Sequence, residues 1–463
     1  MTSLRFCHVT TFYPPYSFGG DAVDVQRWAH ALARRGHEVT VVHDIDAFAA
    51  LDDGDDAPRT AVAEADGVRV IGLRSPVGAL SPALTHQVGR PVVHGRRLRA
   101  LLADGAFDVV NFHNVSLVGG PAVLEYGDSL KLYTAREHWL VCPTHVLWRY
   151  GREPCTGRQC LRCVASYRRP PQVWRYTGAL ERSIRHVDAF IALSEFSRAK
   201  HAEFGFRRAM EVIPSFAPDA PLPDTGEDQH GAVAPAQPYF LFAGRLERLK
   251  GLDDVLPLFT DGRVAADLLV AGTGEHEAAL RALAHDSPRV RFLGRVPADE
   301  LARLYAGAVA VIVPSVGYET FGVVIVEALR AGTPVVARRL GPFPEIVGDA
   351  GELFSTADEL QRALTRLLVE PATRTKYAER ATTRFRTFYG ESVVVPQYLE
   401  LVARVAARTG RTHIVDTLGS DGVGGCAPSC RTTPSTTPAR RSRSTSPRSR
   451  ATSTSSRPDA CGC

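Results

Sequence analysis

The sequence predicts an α/β protein of two doubly wound, Rossmann-like domains followed by a tail with no fold of its own. Three observations carry this. Short apolar runs alternate with amphipathic helical stretches, the mark of parallel sheets flanked by helices. The alternation runs through the chain twice, broken once by a segment rich in Pro, Asp, Ala and Gly. Beyond residue 410 the composition turns to Ser, Thr, Pro and Arg, with hardly any large apolar residue.

The first series has strand-like runs at residues 4–9, 38–42, 107–113, 130–134 and 187–193, which places a first domain at residues 1–213, with a cysteine-bearing insertion at about 136–175. Residues 214–237 read as the linker. The second series, at residues 239–243, 267–271, 290–293, 308–313 and 334–337, places a second domain at 238–382. A helical pattern over 383–410 is expected to return to the first domain, and residues 411–463 to be disordered. Two such sheets leave a cleft at their strand carboxyl ends, where ligands bind.

At 463 residues the chain exceeds what one core usually serves, and its 44% hydrophobic content is ordinary for a globular protein. The net charge of +5 lies wholly in residues 411–463, which hold eight Arg against three Asp. The body is therefore formally neutral, and global charge gives no support for nucleic-acid binding by the folded part. No run of about 18 apolar residues is present, and residues 1–10 read as a strand rather than a signal peptide. A cytoplasmic protein is expected, either free or peripheral to the inner face of the membrane.

Four segments carry chemistry. Gly19-Gly20 closes the loop after the first strand and precedes a helix, so backbone amides there can approach an anion; alone, such a pair is more often only a turn. Gly244-Arg245-Leu246-Glu247-Arg248-Leu249-Lys250-Gly251 opens the second domain and sets Arg245 and Lys250 after a strand, where an Arg fork and a Lys point charge suit a diphosphate. Gly272-Thr273-Gly274 is a further strand-to-helix turn. Finally, Glu319 stands in a loop and Glu327 inside the helix that starts at Gly322. Eight residues of helix span about 12 Å, against about 5–9.5 Å between glycosidase carboxylates. The two acids read as separate acceptors for hydroxyl groups of one ligand.

Taken in order, these segments, with Ala33-Arg34-Arg35-Gly36-His37-Glu38-Val39, Ser194-Glu195-Phe196-Ser197 and Ala331-Gly332-Thr333-Pro334, resemble family 4 glycosyltransferases, the retaining sugar-nucleotide enzymes of the GT-B fold, over roughly residues 4–405. The resemblance implies transfer of a hexosyl-type group to an acceptor hydroxyl with retained configuration and no required metal, in polysaccharide, glycolipid or glycosylated-metabolite synthesis. Arg245 and Lys250 would neutralise the donor diphosphate, aided by amides at Phe321, Gly322 and Val323. Glu327 would hold the ribose, Glu319 the donor sugar, and Arg295 and Val296 would lie beside the base. Gly19, Gly20, Gly272 and Gly274 would line the donor site, and His113 would face the donor sugar; a lone histidine at a strand end is otherwise more often structural. A sugar-nucleotide epimerase and a noncatalytic sugar-nucleotide sensor are the competing readings; the Glu319 to Glu327 spacing with Arg245 and Lys250 favours transfer over the first, and product formation separates a transferase from the second.

Cys142, Cys155, Cys160 and Cys163 fall in the insertion after Arg136-Glu137-His138-Trp139, and Cys160-x-x-Cys163 has metal-ligand spacing. Tetrahedral zinc is one reading and free structural thiols the other; a disulfide is disfavoured in a reducing compartment. Trp139, Trp148, Arg149 and Tyr150 either line an acceptor site or pack.

Overall fold

The computed structural model describes residues 3–51, 62–220 and 237–420. Both doubly wound sheets are present. The first holds β1 (Arg5–Val9), β2 (Glu38–Asp44), β3 (Val62–Ala65), β4 (Val68–Leu73), β5 (Val109–Phe112) and β6 (Leu130–Ala135). The short antiparallel pair β7 (Trp148–Arg149) and β8 (Glu153–Pro154) interrupts it, and β9 (Ala189–Ala192) and β10 (Met210–Val212) complete it. Its order is β10-β9-β6-β5-β1-β2-β4-β3, parallel except for β3. The second sheet holds β11 (Tyr239–Ala243), β12 (Asp267–Ala271), β13 (Val290–Gly294), β14 (Ala310–Val313), β15 (Val335–Arg338) and β16 (Gly351–Phe354). It is wholly parallel, in the order β13-β12-β11-β14-β15-β16.

The central strands are near-continuous apolar runs because both faces are covered; β5, β6, β11 and β14 are buried along their whole length. Strand order reverses between β1 and β5 in one sheet and between β11 and β14 in the other. At a reversal the crossover helices leave to opposite faces and open a crevice at the strand carboxyl ends. The chain segments that follow β1, β11 and β14 carry Gly19-Gly20, Arg245 to Lys250 and Glu319, so the sequence motifs meet at the two crevices.

The helix Glu391–Arg408 returns to the first sheet. Val394, Tyr398, Leu401 and Val405 on one of its faces join Leu4, Phe6 and Trp28 in a single core. Tyr398 sits at its centre, its ring centroid 4.8 Å from that of Trp28 and 6.4 Å from that of Phe6, and its hydroxyl accepts from Asn111 Nδ2 at 3.4 Å. Both crossings between the sheets pass through Ala217, whose N–H donates to the Tyr389 carbonyl at 3.1 Å and whose carbonyl accepts from Glu391 N–H at 3.2 Å.

Disorder expected from residue 411 gives way to a helix, Thr412–Ser420. Ile414 and Leu418, one turn apart, bury an apolar stripe against the Glu391–Arg408 helix and its core. The remaining tail and the middle of the linker, residues 421–463 and 221–236, lie outside the described residues.

Replacing Tyr398 by Ala removes the aromatic keystone of this core. A loss of about 3–5 kcal/mol in urea unfolding is expected, the range for large aromatic truncations, and an unchanged midpoint would show that the returning helix does not stabilise the first sheet.

Candidate active site

A cavity of about 580 Å³ lies between the carboxyl ends of the two sheets. Its second-domain wall is set by close backbone packing. Gly251 has φ +72°, and a Cβ there would lie 2.3 Å from the Pro314 carbonyl oxygen. Gly272 has φ +135°, with its Cβ position only 1.9 Å from the Gly244 carbonyl, and a Cβ on Gly274 would be 2.4 Å from that of Leu246. Only glycine lets the turns after β11, β12 and β14 stack this tightly. Gly272 borders the cavity, whereas Gly274 is one layer back and acts through packing.

This stacking brings charges together. Lys250 Nζ lies 2.8 Å from Glu319 Oε1, which also accepts from Ser315 Oγ at 2.6 Å. Arg245 is half exposed and pairs with Glu247 at 2.8 Å. Across the cavity, a Cβ on Gly19 would stand 3.8 Å from Arg245 Cδ, and one on Gly20 would be 3.9 Å from Val323 Cβ. Phe321, Gly322 and Val323, at the N-terminus of the helix Val323–Arg330, line the space, as do Arg295 and Val296. Amide N–H groups at a helix start have no intrahelical acceptor. The cavity thus has the cations Arg245 and Lys250, helix-start amides and the paired carboxylates Glu319 and Glu247 at one end.

Besides Gly274, two expected residues stand elsewhere. Glu327 is held behind the wall: its Oε2 accepts from Tyr305 at 2.9 Å, and its Oε1 pairs with Arg27 of the first domain's opening helix, Gly20–Arg34. His113, expected to face a donor sugar, is also set back from the cavity. It is 1% exposed and does not border the cavity. His113 follows β5, its Nε2 faces His8 Nδ1 at 2.9 Å, and its Nδ1 accepts from Arg136 Nε at 3.0 Å. Burial keeps it neutral, with its pKa well below the usual histidine value.

Arg136 forms the first-domain wall in its place. Its guanidinium pairs with Asp24, which Ser215 Oγ also reaches at 2.9 Å. Burial lowers the Arg136 pKa to about 9, so it stays charged at neutral pH. Beside it, His138 borders the cavity with neither ring nitrogen paired, and burial holds it neutral. The sequence shows Arg136 and His138 only as the start of the insertion; nothing in their spacing reveals that strand β6 delivers them to the cleft.

Cross-cleft bonds hold the domains closed: Thr320 Oγ1 donates to the Arg136 carbonyl and Ser194 Oγ to that of Thr320, both at 2.7 Å. Lys200 Nζ lies 4.6 Å from the centroid of the Tyr318 ring. In the insertion, Trp139 and Trp148 are buried, and neither they nor Arg149 and Tyr150 border the cavity; they pack. The four thiols there are free. Cys155 Sγ lies 3.3 Å from the Gly157 carbonyl and Cys163 Sγ accepts from Tyr150 N–H at 3.4 Å. They do not converge to ligand spacing; among the described residues one group of side chains does, Asp44, Asp46 and His94.

Exchanging Asp24 for Asn would leave the Arg136 charge buried without its partner. A loss of about 3–5 kcal/mol in chemical unfolding is expected; a change under about 1 kcal/mol would mean that water already screens the pair.

Known proteins share this architecture. The first half, residues 18–220, matches the sequence profile of Glycosyltransferase Family 4, and residues 237–370 match that of Glycosyl transferases group 1. A phosphatidyl-myo-inositol mannosyltransferase of Mycolicibacterium smegmatis is 28% identical over 85% of this chain and 92% of its own length. An uncharacterised protein of the Klebsiella pneumoniae cps region is 26% identical over 73% and 86%. Among solved structures, sucrose-phosphate synthase from Thermosynechococcus elongatus superposes with a TM-score of 0.66 at 18% identity, covering 88% of this chain and all of that one. Anabaena HepE in complex with UDP and glucose gives 0.60 at 18% identity, covering 87% and 100%. With two GT-B sheets meeting at one charged cleft and both halves matched by glycosyltransferase profiles, the chain belongs to the family 4 glycosyltransferases and is a transferase of glycosyl groups.

Proposed function

We propose that the enzyme moves a hexosyl group from a nucleoside diphosphate sugar to an acceptor hydroxyl, with retention at the anomeric carbon. The observation that carries this is the charge set at the second sheet's switch point: Arg245, Lys250 and the amides of Phe321 to Val323 around one cavity end, with Glu319 alongside. Lys250 and Glu319 neutralise each other without donor. A diphosphate would draw Lys250 away, and the sugar hydroxyls would then satisfy Glu319. As the glycosidic bond breaks, negative charge builds on the departing diphosphate, and preorganised donors stabilise that charge more than the ground state. The acceptor would attack from the face the diphosphate leaves. Glu327 would take the ribose hydroxyls once Arg27 swings off it, and neutral His138 replaces His113 as the imidazole facing the reacting centre.

GDP-mannose and UDP-glucose are the first donors to test, because one relative's name specifies the former and HepE is also known with the latter. The cognate donor should raise the melting temperature by mass action and yield glycosylated product. Lys250→Ala and Glu327→Ala should each lower kcat/KM by roughly 10²–10³-fold with the circular dichroism spectrum unchanged. Full turnover in either purified variant would overturn the assignment, and donor binding with no transfer to any acceptor would favour a sensor.

A lipid-borne acceptor is favoured by one surface. Residues 74–99 carry five Arg and no acidic residue. Within them Leu80, Val92 and Val93 are exposed, 55%, 49% and 38%. The turn Val173–Tyr176, with Val173 and Tyr176 also exposed, docks here through Trp174 Nε1 donating to the His86 carbonyl at 2.9 Å. Apolar tips among arginines match an anionic bilayer, at about 1 kcal/mol per basic residue near the surface. No helix among the described residues is long and apolar enough to cross a membrane, so this contact would be peripheral. Sedimentation with phosphatidylglycerol vesicles should pellet the protein, phosphatidylcholine vesicles should not, and Val92→Asp with Val93→Asp should weaken binding at least tenfold. Equal pelleting of the double variant would remove the surface from the account.

A further inference from the structure

Two carboxylates and an imidazole meet at the carboxyl end of β2, behind the cavity. Asp44 is the last residue of β2, Asp46 lies in the first turn of the helix Ile45–Ala49, and His94 immediately precedes the helix Gly95–Asp104. One potential ligand atom from each lies within 4.8 Å of the others. All three residues are buried, at 1%, 3% and 6% exposure. Asp46 is well supported: its Oδ2 accepts from Ser75 N–H at 2.9 Å and from Ser75 Oγ at 2.5 Å, and it faces His94 Nε2 at 3.3 Å.

Asp44 is not. Its Oδ1 caps the helix by accepting from Ala47 N–H at 3.1 Å, but its Oδ2 is buried with no partner. Leaving a carboxylate oxygen bare in the interior is costly. Among the described residues no Arg or Lys forms an ion pair with either acid; His94 alone reaches Asp46. Two close carboxylates repel each other, and among the described residues His94 is the one basic side chain paired with them. A cation bound between them would remove that repulsion.

We infer that Asp44, Asp46 and His94 bind one divalent cation of nitrogen and oxygen preference, such as Mn²⁺ or Zn²⁺. Two carboxylates offset the ion's charge, and one imidazole with two carboxylate oxygens is a borderline-hard donor set. None of the three borders the cavity, so the ion would stand apart from the proposed donor site. It would be structural, pinning the end of β2 to both ends of residues 75–94, the segment that carries the exposed apolar tips. The inference stands whether or not that surface meets a membrane.

Mn²⁺ is the probe, because thiolates compete for it poorly. Full-length protein, stripped with chelator and without donor, is titrated with MnCl₂ while free Mn²⁺ is followed by electron paramagnetic resonance and melting by thermal shift. One high-affinity ion per chain and a raised melting temperature are expected. Asp44→Asn keeps a capping oxygen for Ala47 and should lose that uptake at least tenfold; His94→Gln supplies the second variant if the first does not fold. No uptake by wild type, or equal uptake in both variants, overturns the inference and leaves Asp44 as a buried acid that holds its proton.

Discussion

Four backbone atoms at one alanine govern how this enzyme is assembled. The chain passes from the first sheet to the second and later returns, and both passages are bonded to each other at Ala217, through Tyr389 and Glu391. A single crossing would leave the sheets free to swivel. A double crossing, with the returning helix sunk into the first core at Tyr398, ties the two sheets together along one seam. The two switch points therefore face each other, and groups more than a hundred positions apart, such as the Arg136 carbonyl and the Thr320 hydroxyl, are brought within hydrogen-bond reach.

That geometry also explains a buried charge. Arg136 is almost wholly desolvated, and burying a guanidinium is expensive unless its donors are used. Asp24 takes Nη1 and His113 takes Nε, while Nη2 is left without a partner; a cross-domain bond fixes the backbone at its carbonyl. The arginine thus ties the first helix, the end of β5 and the opposite domain to one point on the cavity wall. His113 belongs to that support, set back from the cavity lining.

Much of the fold was legible because central parallel strands are uniformly apolar, and ten were read near their true positions. The strands that escaped, β3, β4, β10 and β16 of the two large sheets and the pair β7 and β8, are short or peripheral, and several carry charges, such as Glu211 and Glu352, that only a partner strand makes intelligible. The donor-side wall was legible for a related reason. Its motifs are contiguous in sequence and come directly after strands that end at a switch point. The first-domain wall was not, since Arg136 and His138 owe their place to the packing of an insertion. Likewise, a histidine after a strand has no mark in the sequence telling whether it turns to the cleft or, like His113, toward a neighbouring strand. The helix at 412–420 was masked by the biased composition of the residues C-terminal to it.

The pairing of Lys250 with Glu319 has a consequence at the other end of the reaction cycle. After transfer, a nucleoside diphosphate would remain against Lys250 while Glu319 had lost the hydroxyls that satisfied it. The largely buried Glu319 carboxylate, which lies 2.8 Å from Lys250 in the empty cleft, would then draw the lysine back. The spent leaving group would face competition that an intact donor does not, so the same ion pair that shields the empty cleft would also speed product release.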